Sequence, residues 1–417
     1  MTRQYLTQNV YEAFQQRMHF IFKEFDHIFV SFSGGKDSGL LLNMALDFRS
    51  KYYPHKRIGV FHQDFEAQYT VTTDYITRTF KRLENGSGID LYWVCLPMAT
   101  RTALSSYEMY WYPWDDTKKD SWVRQMPQKE YVINLDNNPM TTYHYRMHQE
   151  DLAKQFGRWY QLSHGKKKTV CLLGIRADES LQRYSGFLNK KYGYKGECWI
   201  SKHFKNVWCA SPLYDWSTYD VWHANYLFDY DYNELYELYY KAGLKVSQMR
   251  VASPFNDYSK DALNLYRVID PEIWVKLVGR VQGANFACIY SKSKAMGYRN
   301  ITLPEGHTWK SYTMFLLDTL PVRLRNNYVK KFNTSIKFWH TTGGGLDENV
   351  IQELEEHGYN IRRNGVSNYT RSKKSRVVFV GKIPDDTDDI KSSKDIPSWK
   401  RMCYCILKND HNCRFTG

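Results

Sequence analysis

Along the first half of the chain, short apolar blocks alternate with stretches of helical spacing. Residues 11–25 repeat apolar side chains at helical intervals and predict an amphipathic helix. An apolar block at 27–32 predicts a strand, and the run of Leu, Met and Ala at 40–46 predicts a helix. The order recurs as a strand at 57–62, a helix at 68–83 and a strand at 90–96. Strands alternating with helices in this way predict an α/β fold built on a parallel, doubly wound sheet.

The alternation breaks over residues 100–168, which are rich in Trp, Tyr, Asp, Asn and Lys. This stretch reads as an insertion over the C-terminal edge of the sheet, where a substrate lid would sit. Strands resume at 169–175 and 207–210, followed by a helix at 218–228. Beyond residue 230 the expected elements are mostly helical: 233–242, 262–281, a patch from 310 and 347–357. A glycine turn at 343–345, a basic run at 371–376, a strand at 377–380 and a mobile connector at 383–397 complete the reading. Two domains are expected, a nucleotide-binding domain at 1–230 and a mostly helical region at 231–417 of unknown role.

Composition sharpens this picture in two ways. Eight cysteines scattered through 417 residues, with no apolar leader and no spanning stretch, predict a soluble, cytoplasmic protein without a disulfide framework and with no membrane partner. A formal charge of +14, 34 tyrosines and 16% aromatic residues suit nucleic acid, whose phosphates meet cations and whose bases stack on rings.

The densest chemistry follows the first strand, at Ser31-Phe32-Ser33-Gly34-Gly35-Lys36-Asp37-Ser38-Gly39. A strand, a turn of small residues and a helix start are the parts of an anion site. Glycines admit backbone N–H groups to a phosphate, and the helix N-terminus adds partial positive charge. The spacing is neither G-x-x-x-x-G-K-[ST] nor G-x-G-x-x-G. It resembles the SGGxDS loop of the PP-loop ATP pyrophosphatases, in the Lys-containing form of the phosphoadenylylsulfate (PAPS) reductase group. Two further segments carry the resemblance. Gly174-Ile175-Arg176-Ala177-Asp178-Glu179-Ser180-Leu181-Gln182-Arg183 is similar to G-[IL]-R-x-x-[EQ]-S-x-x-R, and the segment from Ser211 to Trp222 is similar to P-L-x-D-W-x-x-x-D-V-[WY]. Arg176 and Arg183 can grip phosphate or sulfate through paired N–H donors. Asp64 stands at a strand end where the group has Asp-Thr-Gly, but here Phe65-Glu66 replaces Thr-Gly.

The resemblance implies an adenine nucleotide alpha hydrolase-like fold that binds ATP or a sulfonucleotide. Ser31, Ser33, Gly34, Gly35, Lys36, Asp37, Ser38, Asp64, Gly174, Arg176 and Arg183 would hold the nucleotide, with Lys36, Asp37 and Arg176 in catalytic roles. Asp37, Asp178 and Glu179 are the candidate Mg²⁺ ligands. The expected reaction is cleavage of ATP to AMP and pyrophosphate to adenylate an acceptor, in nucleic-acid modification or regulation. One alternative is a thiol-dependent sulfonucleotide reductase. The group's C-terminal Glu-Cys-Gly-Leu/Ile-His motif is absent, leaving Cys413 as candidate nucleophile. Another alternative is a nucleotide-sensing, DNA-associated module without turnover. No iron–sulfur signature is visible, and the tight Cys403-x-Cys405 spacing argues against zinc. The second half resembles an uncharacterised subgroup often found beside a ParB-like protein, which implies such a partner.

Overall fold

The computed structural model describes residues 6–105, 107–188, 193–256, 263–281, 283–284, 301, 303–367, 374–390, 395–414 and 416. The chain forms two compact units, the first comprising residues 1–100, 112–254 and 265–280, the second 101–111, 255–264 and 281–417.

In the first unit, α1 (Val10–Glu24), β1 (His27–Ser31), α2 (Lys36–Tyr52), β2 (Ile58–Gln63), α3 (Thr70–Leu83) and β3 (Ile89–Val94) follow one another. Then come β4 (Val132–Ile133), α4 (Gln149–Ser163), β5 (Thr169–Leu172), α5 (Leu181–Phe187), β6 (Gly193–Tyr194), β7 (Glu197–Phe204) and β8 (Val207–Ala210). Helices α6 (Thr218–Leu227), α7 (Leu235–Lys241), α8 (Leu263–Ile269) and α9 (Pro271–Arg280) complete the run. The strands form one sheet in the order β4-β3-β2-β1-β5-β8-β7-β6. Six are parallel, and β7 and β6 add an antiparallel edge.

Both faces of the centre of this sheet are covered, so β1, β2, β5 and β8 are buried along most of their length rather than alternating. Ile28 and Val30 of β1 point into a core with α1, α2, α3 and α6. Phe29, between them, joins Phe61, Phe156 and Tyr160 on the opposite face, beneath α4. Helix α4 lies inside the expected insertion, and no residue of 112–168 lines the cavity described below. The aromatic residues of this stretch are mostly packed against core, with Trp114 buried and Trp122 packed against it. The expected helix at 262–281 is two helices, α8 and α9, because Pro271 cannot donate within a continuous helix. Residue 262 lies outside the described residues.

His62 on β2 is fully buried, its Nδ1 2.8 Å from the Phe32 carbonyl. Burial holds its pKa below the ordinary value of 6.5, although Asp64 opposes this. The unfolded chain therefore takes up a proton below pH 6.5 that the folded one refuses, and His62 weakens stability as pH falls from there. An NMR titration is expected to place its imidazole below 6.5; an ordinary or raised value would contradict this environment.

The second unit is mostly helical, with α10 (Trp309–Thr319), α11 (Val322–Thr341), α12 (Glu348–Glu356) and α13 (Trp399–Leu407). A small antiparallel sheet joins β9 (Gly344–Leu346), β10 (Ile361–Val366) and β11 (Ser375–Phe379), with β11 in the centre. Two of the expected turn glycines, Gly344 and Gly345, are thus strand residues paired with Val377 and Arg376. The supposed connector is anchored: Ile383, Ile390 and Ile396 are buried beside Trp339 and Phe379. Three isoleucines spaced along a polar run were enough to tie it down. Residues 391–394 of that stretch, and 371–373 of the basic run, lie outside the described residues.

Candidate functional site

The chain leaves β1 for β2 and β3 on one side, then returns to β5 on the other, so the strand order reverses between β1 and β5. Open α/β sheets bind ligands at such a point, beyond the C-terminal strand ends. A cavity of about 570 Å³ lies there. Its walls include Ser31, Ser33, Gly35, Lys36, Asp37 and Ser38 from the loop, and Gly174, Arg176, Asp178, Glu179 and Arg183 from the segment after β5. The two motifs are 139 residues apart in sequence and meet as an ion pair, Arg176 Nε to Asp37 Oδ1 at 2.6 Å.

The loop is held by its own serines. The Ser38 hydroxyl lies 2.9 Å from the Ser33 hydroxyl, donates to the Gly35 carbonyl and accepts from the Ser33 N–H at 3.1 Å. Gly34 has φ of +77°, and its carbonyl accepts from Asn233. Gly35 caps α2 without a side chain, leaving the helix N-terminus to other partners. One is already supplied: the Lys36 N–H donates to the Tyr236 hydroxyl at 3.0 Å. The Lys36 ammonium pairs with the other Asp37 oxygen at 2.8 Å and faces the Tyr236 ring.

Gly174 matters for a different reason. A Cβ there would lie 2.8 Å from the Asp37 carbonyl carbon and the Ser38 nitrogen, so only hydrogen fits between the two motifs.

Arg176 is 2% exposed. Besides Asp37, it donates to the Trp216 carbonyl and the Thr218 hydroxyl. Three of its five N–H groups thus tie the loop, the β5 segment and the start of α6 together. Arg183 is half exposed, with Glu179 3.9 Å away. Arg250, which sequence reasoning passed over, supplies a further cation on the cavity wall. Tyr236, Val246, Met249 and Thr218 were also missed as wall residues. The buried face of α7, Leu235, Tyr236 and Tyr239, was a faint signal for one of them.

Asp64 is placed elsewhere. It is fully buried and does not line the cavity, receiving two contacts from Arg124 at 2.5 and 2.6 Å and one from Trp93. Burial alone would raise its carboxyl, but Arg124, with His62 and the Trp93 hydrogen bond, outweighs it and holds the pKa below the usual range. The replacement at the following turn now has a physical reading. Glu66 holds a φ of +62°, the left-handed region where the group has Gly, and its buried carboxylate accepts from Trp114 N, Val123 N and Arg280. Gly34, likewise, shapes the loop from beneath without lining the cavity. In the second unit, Cys413 is buried among Leu317, Leu324 and Phe332. Cys403 and Cys405 sit two apart on α13 and so point to different sides of it.

Residues 27–242 match the family described as phosphoadenosine phosphosulfate reductase domain, and 243–417 match a domain of unknown function (DUF3440). The chain belongs to the PAPS reductase domain family. It is thereby a member of the PP-loop ATP pyrophosphatase superfamily. Over 413 residues this PAPS reductase-like chain is 30% identical to the uncharacterized protein YbdN of Escherichia coli (strain K12), covering 97% of this chain and 89% of that one. Among solved structures it is similar to the FMN adenylyltransferase of Candida glabrata bound to FMN and an ATP analog, at 15% identity, 56% and 64% coverage and a TM-score of 0.30. The PAPS reductase of Candida auris in its phosphate complex matches at 12% identity, 61% and 98% coverage and 0.30. The U34-tRNA thiolase NcsA of Methanococcus maripaludis, with its [4Fe-4S] cluster, matches at 12%, 65% and 77% coverage and 0.33.

Among the described residues no three or more His, Cys, Asp or Glu side chains group to hold a metal ion. Asp37, Asp178 and Glu179 all line the cavity, but Asp37 is engaged by Lys36 and Arg176. These carboxylates fit a cation that arrives with part of its shell already filled by phosphate oxygens, as Mg²⁺ commonly does, and not a closed protein cage. No described helix is long and apolar enough to cross a membrane.

Proposed function

We propose that this PAPS reductase-like PP-loop chain binds ATP in the cavity at the loop and transfers its AMP to an acceptor, releasing pyrophosphate. The observation that carries this reading is the convergence of the α2 N-terminus, whose cap residue Gly35 has no side chain, and four cations, Lys36, Arg176, Arg183 and Arg250, on a cavity whose described walls contain no cysteine. A nucleophilic atom of the acceptor attacks the α-phosphorus, the α–β bridging bond breaks, and its electron pair leaves on pyrophosphate. Lys36, the α2 N–H groups and Arg183 stabilise the charge that grows on the leaving group, so catalysis is mostly positioning and electrostatics. Arg176 acts by holding Asp37 and the loop in place. Asp37, Asp178 and Glu179 are the residues that would hold Mg²⁺, which when bound would supply further charge neutralisation.

Sulfonucleotide reduction is less well supported, because it needs a thiolate that reaches the substrate, and the Cys413 side chain is packed in the core of its own unit.

The test is pyrophosphate release from ATP and Mg²⁺ by Lys36→Ala and Asp37→Asn, the latter keeping an acceptor for the buried Arg176. Each is expected to lower the rate about 10²–10³-fold with the fold retained. Unchanged rates in both would remove the site assignment.

A further inference from the structure

A second cavity, of about 390 Å³, shares Tyr236, Val246 and Met249 with the first and is otherwise walled by the rings of Trp222, Tyr232 and Tyr240 together with Glu237 and Lys241. Trp222 stands edge-on to Tyr232 at 5.3 Å and to Tyr236 at 5.2 Å between ring centroids. Tyr240 is 72% exposed and Trp222 half-buried, so these faces are open to a ligand rather than closed into core. One polar group near the rings is already satisfied: the Tyr232 hydroxyl donates to Glu237 at 2.6 Å. Lys241 lines this cavity and Arg250 the first, with Lys245 in the chain between them.

We propose that this aromatic cavity binds the acceptor, and that the acceptor presents a nucleobase bearing phosphate. The inference rests on the adenylation reading and names the substrate class for it. A flat ring has π-faces to stack on, and an almost wholly apolar lining reads the ring rather than its hydrogen-bonding edge, as in sequence-tolerant base binding. The phosphate carried by that base meets Lys241 and Arg250, in a chain with a formal charge of +14. The occupant is a second molecule and not the adenine of the bound ATP. The first cavity, at about 570 Å³, already lies within the range that takes a whole nucleotide-sized ligand. The shared wall then brings the acceptor beside the α-phosphorus.

Two sources share this chemistry, a free nucleotide and an unpaired nucleotide in a strand. The experiment uses dTMP and a thymidine hexamer as probes, with ATP binding measured in parallel on the full chain. Tyr240→Ala and Trp222→Leu are each expected to weaken the bound probe about 10-fold or more, the scale of one lost base–aromatic stack, while ATP affinity stays within about twofold. Binding of the hexamer well above dTMP assigns the strand; equal binding assigns the free nucleotide. Tyr240 is exposed, so its variant remains informative if Trp222→Leu fails to fold. Failure of both probes to bind the wild type, or binding untouched by both substitutions, overturns the proposal. So does a loss of ATP affinity in both variants, which would give the cavity to adenine. Absent ATP binding by the wild type would instead end the adenylation reading, with the probe result still reporting on the rings.

Discussion

Gly174→Ala is expected to lower ATP-dependent pyrophosphate release about 100-fold, the scale of a displacement near 1 Å in a positioned site. The added methyl carbon would stand 2.8 Å from backbone atoms of both Asp37 and Ser38. No side chain can rotate away to admit it, so the start of α2 or the β5 segment must move. Either movement breaks the register between Arg176 and Asp37, and a shift of α2 also turns the Lys36 N–H from Tyr236. Overpacking also costs about 1–3 kcal/mol of stability, visible as a lowered denaturation midpoint. Pyrophosphate release at the wild-type rate would mean that the contact between the two motifs does not shape the reaction centre.

The largest expected loss of stability follows Glu66→Ala. Removing this carboxylate breaks its buried ion pair with Arg280 and takes the acceptor from two buried backbone N–H groups, of Trp114 and Val123. Breaking a buried pair in this way costs about 3–5 kcal/mol, a large share of the 5–15 kcal/mol that holds a typical domain together. Glu66→Gly loses the same bonds but fits the φ of +62°, so it should be about 1 kcal/mol less damaging than alanine. Urea denaturation of the full chain, followed by tryptophan fluorescence, measures the difference. The first unit should unfold earlier in both variants, and an alanine variant as stable as wild type would show that the network contributes little.

Much of the site could be read directly. Ser33, Gly35, Lys36, Asp37 and Ser38 lie together in one short segment, and the strand before it and helix after it are each encoded by neighbours in sequence. Local spacing and backbone chemistry suffice for such a loop. Arg176 was legible as a site residue, but its part as a clamp between three elements was not, because Trp216 and Thr218 reach it only through the packing of α6. Asp64 looked like a ligand-facing acid at a strand end. Its real partner, Arg124, is 60 residues away in a stretch with little periodicity to place it.

The sequence by itself determined the alternation of strands and helices, the phosphate-type loop and its family, since these depend on residues within a turn or two of one another. Only the tertiary structure decided that Glu66 and Arg280 form a buried pair 214 residues apart, that the supposed connector is anchored by Ile383, Ile390 and Ile396, and that rings from α6 and α7 line a cavity beside the loop. Such contacts are set by which faces of distant elements must share one core, and no local pattern carries that information.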